Sequence, residues 1–294
     1  YMATARLSGM MLDYTKLMRL GVPGLKREIA ERLAADQGNG YLQASLEMMD
    51  LFVKVIRAQK DLVADSGDVP MEAKQRMIGD LTAIEDNPPQ TFRQALQLFW
   101  LYALCAGCIN YGRLDIVLGP FLKADIEAGV ETEDSAQAVL ESLWMLIENR
   151  RTTVNGRIIV GGRGRPDPEA ADLFAKICLR VVKKLRCVEP QFTFRFDAET
   201  DPALKDMAYE CIAAGATYPT LYNDDVNIPA VQYAMRVDRE TAEQYLPFGC
   251  GEFVIQGQSL GTPNTLLNMV KVLQIAMNEG TDPMDGMKKN GPVD

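Results

Sequence analysis

The alternation of extended and helical segments after residue 150 is the feature that most constrains the fold of this chain. Short runs with β-forming residues occur at Arg157 to Val160 and at Gln191 to Phe196. Each is followed by a longer segment whose apolar residues recur at helical spacing. Strands connected through helices pair in parallel in a common sheet. The sequence therefore predicts an α/β fold with a parallel sheet surrounded by helices.

The first third of the chain has a different pattern. Apolar residues recur at helical spacing from residue 14 to 64, and Met71 to Ile84 continues the series as a shorter helix. Thr91 is placed to cap a further helix. We expect residues 1–90 to form a helical N-terminal region and residues 91–294 to form a partial α/β barrel. No linker separates the two in the sequence, so one continuous domain is expected.

Shorter elements are predicted from local composition. Gly107 and Gly112 bracket a predicted turn, and Phe121 to Ala128 has the pattern of a helix that begins after Pro120. Thr241 to Leu246 is predicted as a helix that leads into a glycine-rich loop, and Leu266 to Met277 as the last helix.

Composition excludes several classes of function. The net charge is −9 and basic residues do not cluster, so a nucleic-acid partner is not expected. No run approaches the roughly 18 apolar residues of a membrane span. The absence of histidine excludes serine triads, Cys–His nucleophile pairs and most zinc sites. Six cysteines without regular spacing indicate reduced thiols in a cytoplasmic protein.

The segment Gly249-Cys250-Gly251-Glu252 is the strongest candidate for chemistry. Two glycines let the backbone turn tightly around the thiol, and a carboxylate follows two residues later. A nearby negative charge disfavours the thiolate, so this pair is poorly suited to ordinary nucleophilic attack. It suits hydrogen-atom transfer, in which the neutral S–H is the useful form and the carboxylate moves a proton separately. Taken alone, the motif is equally compatible with a buried cysteine in a turn.

A series of further markers precedes this loop in the chain. It comprises Asn87 to Gln97, Tyr111 to Asp115 with Gly119 and Pro120, Val160 to Gly162 with Asp172, Pro190 with Arg195, and Gly215 with Pro219 and Asn223-Asp224. Their order resembles that of the glycyl radical enzyme superfamily, which includes the pyruvate formate-lyase and glycerol dehydratase relatives. The resemblance covers most of the chain.

The resemblance implies a barrel of two parallel half-sheets ringed by helices, with the cysteine loop at its centre. It implies that a stored glycyl radical abstracts hydrogen from Cys250, and that the resulting thiyl radical abstracts hydrogen from a small-molecule substrate. The loop is similar to that of the dehydratase-like branch, because the other branch carries paired cysteines. Glu252 is then expected to be the general acid/base of an elimination.

Four further residues are expected at the substrate. Cys108 and Asn264 fall where the diol dehydratases carry a serine and an aspartate, and Gly107 falls where they carry a histidine. Arg113 and Asp115 lie in the Gly-Arg-x-Asp marker. They are expected either to form a structural ion pair or to contact the substrate. The departures at Cys108 and Asn264 argue against simple diol dehydration, and leave decarboxylation, C–S or C–N cleavage, or dehydration of another substrate open.

The glycine that stores the radical in the family has no counterpart in this sequence. We therefore expect no bound cofactor or metal, an organic radical on a segment outside this chain, and no turnover by the chain alone. The resemblance also implies a homodimer, an anaerobic cytoplasmic setting, and a radical S-adenosylmethionine activating enzyme as a partner. Two alternatives are a truncated non-catalytic paralogue that acts as a scaffold and a plain α/β thiol enzyme.

Overall fold

The computed structural model describes residues 11–151, 156–249, 251–258 and 268–288. The chain divides into two compact units, Tyr1–Gly261 and Thr262–Asp294. The elements of the first unit are α1 (Tyr14–Ala35), α2 (Gly40–Asp65), α3 (Met71–Asp86), α4 (Phe92–Cys105), β1 (Asn110–Arg113), α5 (Leu114–Glu127), α6 (Glu133–Asn149), β2 (Arg157–Gly161), α7 (Pro168–Leu185), β3 (Gln191–Phe196), α8 (Pro202–Ala213), β4 (Thr220–Asn223), α9 (Asp224–Met235), α10 (Arg239–Glu243), β5 (Tyr245–Phe248) and β6 (Glu252–Ile255). The second unit contains α11 (Met269–Met277) and a bridge between Thr281 and Lys288.

Strands β1 to β4 form a sheet whose strands are parallel, as predicted, and they lie in it in sequence order. Because successive side chains of a strand point to opposite faces, each strand divides its residues between two environments. Ile158 and Phe192 belong to the main hydrophobic core, which the sheet shares with the helices. Ile159 lies on the opposite face and packs into a separate small cluster with the β5–β6 hairpin. We refer to this second face as the inner face of the sheet.

The N-terminal helices begin at side-chain caps that the sequence supplies. Asp13 accepts a hydrogen bond from the backbone N–H of Lys16 at 2.9 Å, and Thr91 accepts one from Gln94 at 3.3 Å. Buried aromatic residues join these helices to each other, with the rings of Tyr14 and Phe99 4.8 Å apart in an edge-on arrangement. The helical region thus contributes to the same core as the sheet.

An antiparallel hairpin, β5–β6, covers the inner face. Leu246 and Phe248 of β5 and Val254 of β6 pack with Ile159 of β2. The turn of the hairpin is the segment between Phe248 and Glu252, which contains the predicted cysteine loop. Apolar packing therefore fixes the hairpin on the sheet and determines where its tip lies.

Several local predictions were wrong, because tertiary packing outweighs local composition in this chain. Gly112 has a φ of +67° at a bulge within strand β1, not in a turn. Pro120 lies inside α5, since Leu118 and Leu122 are fully buried on either side of it. Leu246 belongs to β5 and not to a helix. The sequence reasoning also missed α9 altogether, where Pro229 interrupts the helical pattern.

Candidate active site

The hairpin tip has a backbone conformation that requires glycine. Gly249 has a φ of +54° and Gly251 a φ of +127°, and the N–H of Gly251 donates to the carbonyl of Phe248 at 2.9 Å. A Cβ atom at Gly249 would lie 2.6 Å from Oε2 of Glu252. Cys250 itself lies outside the described residues. Its two neighbours form a tight turn, one of them beside the carboxyl group of Glu252.

Arg157 holds the cysteine loop against the sheet. It is the first residue of β2 and is buried, with only 4% of its surface exposed. Its Nη2 donates to the carbonyl of Gly249 at 2.9 Å and to Oε1 of Gln191 at 3.0 Å, and its Nη1 donates to Oγ1 of Thr193 at 2.9 Å. The loop is thus tied to the amino ends of two neighbouring strands by one side chain. Sequence reasoning did not identify this residue.

Glu252 is the first residue of β6 and is half-buried. Its Oε2 atom is shielded from solvent and has no hydrogen-bond partner among the residues that the structure describes. A buried carboxylate oxygen without a donor is unfavourable unless a ligand or a proton occupies it. The geometry therefore leaves one oxygen of Glu252 available beside the cysteine loop.

Cys108 lies just before β1 and is buried. Its Sγ donates to the carbonyl of Asn110 at 3.2 Å, and burial raises the pKa of the thiol above its usual range. Nη1 of Arg150 donates to the Cys108 carbonyl at 3.2 Å. No disulfide joins Cys108 to the exposed Cys105. Its predicted contact with substrate stays a prediction, as does that of Asn264, which lies outside the described residues.

Arg113 and Asp115 lie at the carboxyl end of β1. Both are buried, and their charged atoms are 3.8 Å apart, so the predicted ion pair is present. Arg113 donates to the carbonyls of Gly161 and Arg163 at 2.8 Å each, and Asp115 accepts from the N–H of Gly161 at 2.8 Å. Burial lowers the pKa of Arg113 to about 10 and raises the pKa of Asp115. These contacts join β1 to the end of β2, and a role of the pair in substrate binding stays a prediction.

A second buried ion pair connects the sheet to the hairpin. Nε and Nη2 of Arg195 donate to the two carboxylate oxygens of Asp224 at 3.0 and 2.7 Å, and both side chains are fully buried. Arg195 also donates to the carbonyl of Tyr245 at 2.9 Å, and the Tyr245 hydroxyl donates to Asp224 at 2.6 Å. Burial raises the pKa of Tyr245, which keeps the hydroxyl protonated as a donor. The pair anchors β5 at the end opposite the cysteine loop.

Comparison with known proteins decides the family. The model of the pyruvate formate lyase-like family matches residues 1–293. The chain belongs to this family. Within the glycyl radical enzyme superfamily it is 26% identical to (2S)-3-sulfopropanediol dehydratase of Klebsiella oxytoca, over 92% of this chain and 37% of the relative. It is 25% identical to trans-4-hydroxy-L-proline dehydratase of Clostridioides difficile, over 67% of this chain and 27% of the relative.

Solved structures of the superfamily share the fold. A glycyl radical enzyme from Archaeoglobus fulgidus aligns with a TM-score of 0.79 and 22% identity, over 97% of this chain and 41% of the other. The 1,2-propanediol dehydratase structure from Roseburia inulinivorans aligns with a TM-score of 0.77 and 19% identity, over 93% and 38%. The predicted part of a glycyl radical enzyme barrel is thereby confirmed. The chain spans less than half the length of these relatives of the pyruvate formate lyase-like family.

Within the described ranges, no group of three or more acidic or cysteine side chains is arranged to hold a metal ion. Among the described helices, none is both long enough and apolar enough to cross a membrane.

Proposed function

We propose that this chain carries the cysteine loop of a glycyl radical lyase of the dehydratase-like branch. Cys250 is the hydrogen-atom transfer residue and Glu252 is the general acid/base. The observation that supports this most is the position of the Glu252 carboxyl group, which lies beside Gly249 with one shielded oxygen unpartnered in the described part of the chain. A carboxyl group in that position can exchange a proton with a substrate held at the loop.

The proposed reaction has four steps. A glycyl radical takes the hydrogen atom of the Cys250 thiol, and the thiyl radical then takes a hydrogen atom from a carbon of the substrate. The substrate radical loses a leaving group from the adjacent carbon: Glu252 donates the proton that departs with that group, and the Glu252 carboxylate then takes up the proton of the hydroxyl or amine on the radical carbon, which forms a double bond to that carbon. The product radical regains a hydrogen atom from the Cys250 thiol, which restores the thiyl radical. Electrons and atoms balance without histidine, which this chain lacks.

The relatives support elimination as the type of reaction. Their names describe loss of water from a sulfopropanediol and from hydroxyproline, and loss of sulfite from isethionate. The radical would reside on a glycine outside this sequence and would be generated by a radical S-adenosylmethionine activating enzyme. Cys108, Asn264, Arg113 and Asp115 remain proposed substrate contacts within this scheme.

The test is anaerobic activation of the longest natural polypeptide that contains this chain. Electron paramagnetic resonance would report the glycyl radical, and a panel of polyols, hydroxy acids and sulfonates would report turnover. We expect Cys250→Ala to abolish turnover with the radical still formed, whereas the exposed Cys105→Ala control retains both. Glu252→Gln should slow turnover by at least roughly a hundredfold. Turnover by Cys250→Ala at the wild-type rate would refute the proposal.

A further inference from the structure

Arg157 carries a buried positive charge that the described protein does not neutralise. Its three hydrogen-bond acceptors are the Gly249 carbonyl, the Gln191 amide oxygen and the Thr193 hydroxyl, all of which are uncharged. No carboxylate of the described residues forms an ion pair with it. Burial of a guanidinium without a counter-charge is strongly unfavourable. An anion bound from outside the described residues would supply the missing counter-charge.

Glu189 is the acidic group whose charge acts on Arg157 at longer range. Burial, and repulsion from Glu148, raise the pKa of Glu189 to about 7. Its Oε2 already accepts the N–H of Gly156 at 3.0 Å. At neutral pH this carboxyl group is therefore only partly ionised. It does not provide Arg157 with a full counter-charge.

The guanidinium also has unused donors. Arginine offers five N–H groups, and three are used here. The Nε–H is buried and has no acceptor in the part of the chain that the structure describes. Nη1 has two N–H groups and donates one of them to Thr193, so its second N–H is also available to a ligand. A ligand with acceptor oxygens can satisfy these groups, whereas an apolar ligand cannot.

Asn110 provides a second, independent sign of a missing ligand. It is only 1% exposed, and neither its Oδ1 nor its Nδ2 has a partner among the described residues. It pairs in register with Arg157 in the parallel sheet, so the two side chains share the inner face. An unpaired buried amide is unfavourable, and a ligand with both a donor and an acceptor removes that cost.

We infer that Arg157 and Asn110 form the binding subsite for an anionic group of the substrate, a carboxylate or a sulfonate that also carries a hydroxyl. The anion receives hydrogen bonds and charge from Arg157, and Asn110 binds the hydroxyl. The inference rests on the proposed function, since the subsite is useful there only if substrate is presented to the cysteine loop. Arg157 also holds Gly249, so the bound anion and the loop share one side chain.

Binding without the radical tests the inference separately from the chemistry. The experiment is calorimetric titration of the longest natural polypeptide containing this chain, with lactate and isethionate as anionic probes and 1,2-propanediol as the neutral probe. Lactate and 1,2-propanediol share one carbon skeleton, so the comparison isolates the charge. We expect the anions to bind about tenfold to a hundredfold more tightly, as for hydrogen bonds to a charged group.

Variants assign the effect to the subsite. Arg157→Met should abolish the preference for anions, Arg157→Lys should retain it at lower affinity, and the exposed Arg32→Met on α1 should leave it unchanged. Asn110→Ala, which keeps the contact between Arg157 and Gly249, should weaken lactate about fivefold or more. Equal binding of the diol and the anions by the wild type would overturn the inference, as would an anion preference that survives Arg157→Met. Either result leaves the Cys250 test unaffected, so the two proposals can fail independently.

Discussion

Replacement of Asp224 by Asn should be among the most destabilising single changes in this chain. Each oxygen of the Asp224 carboxylate accepts two hydrogen bonds. Oδ1 accepts from Nε of Arg195 and from the Tyr245 hydroxyl, and Oδ2 accepts from Nη2 of Arg195 and from the N–H of Arg163, all at 2.6 to 3.0 Å. Whichever way the amide of Asn is oriented, its NH₂ group must face two donors.

The magnitude follows from burial. Asp224 and Arg195 are both fully shielded from solvent, so the variant leaves a buried guanidinium without its counter-charge. Breaking one partner of such a pair costs about 3–5 kcal/mol. Asp225 provides a matched control in the neighbouring position. Its side chain is 44% exposed and its ion pair with Arg163 is 3.7 Å long, so Asp225→Asn should cost less than about 1 kcal/mol.

Urea denaturation of both variants, followed by far-ultraviolet circular dichroism, measures the free energy of unfolding. Hydrogen exchange should show a further effect, because Arg195 also holds the Tyr245 carbonyl of the hairpin. We expect faster exchange in β5 and β6 for Asp224→Asn than for Asp225→Asn. Similar losses of stability in the two variants would refute the argument that burial of the pair determines its contribution.

Two further predictions concern the loop and the pH dependence of stability. Gly249→Ala should displace the Glu252 carboxyl group and lower turnover, with the glycyl radical still formed. Gly257→Ala is the control, because Gly257 also has a positive φ but has open space around it, so this variant should lose similar stability and keep its turnover. Equal turnover by the two variants would contradict the role of Glu252. Because burial raises the pKa of Glu189 from 4.5 to about 7, the protonated form stabilises the fold at low pH, and that contribution disappears as the pH rises from 4.5 through 7. The stability of Glu189→Gln relative to wild type should therefore rise by up to about 3 kcal/mol between pH 4.5 and 8. Urea denaturation at each pH measures this difference in free energy of unfolding, and a difference that does not change with pH would contradict the prediction.

Much of the fold could be predicted from the sequence because local signals and packing agree there. The strands at Arg157 and Gln191 have β-forming composition, and the helix of α7 has strong caps and a clear apolar face. Where the local sequence signals and the tertiary packing disagree, the predicted secondary structure was wrong. No helix was predicted over α9, which contains Pro229, although Ile228 and Val231 beside this proline are buried in a small cluster with Tyr245 and Ile255.

The candidate site was only partly predictable for a related reason. The cysteine loop is contiguous in sequence, so its composition identifies it. Arg157 is separated from Gly249 by 92 residues, and only the hairpin brings them together on the inner face. An arginine at the start of a strand carries no local sign that it will be buried. That Arg157 is buried among uncharged acceptors becomes visible only from its contacts with the neighbouring strand and the hairpin.

The reactivity of each cysteine toward a bulky maleimide tests most directly whether the cysteine loop is enclosed with a protonated thiol. The measurement is mass spectrometry of the native, longest natural polypeptide after timed alkylation. Cys105 is exposed and Cys178 is fully buried, so they provide the fast and the slow reference within the same molecule. We predict that Cys250 is modified at a rate close to that of Cys178. Modification of Cys250 as fast as Cys105 at neutral pH would contradict the account and favour an ordinary thiol enzyme.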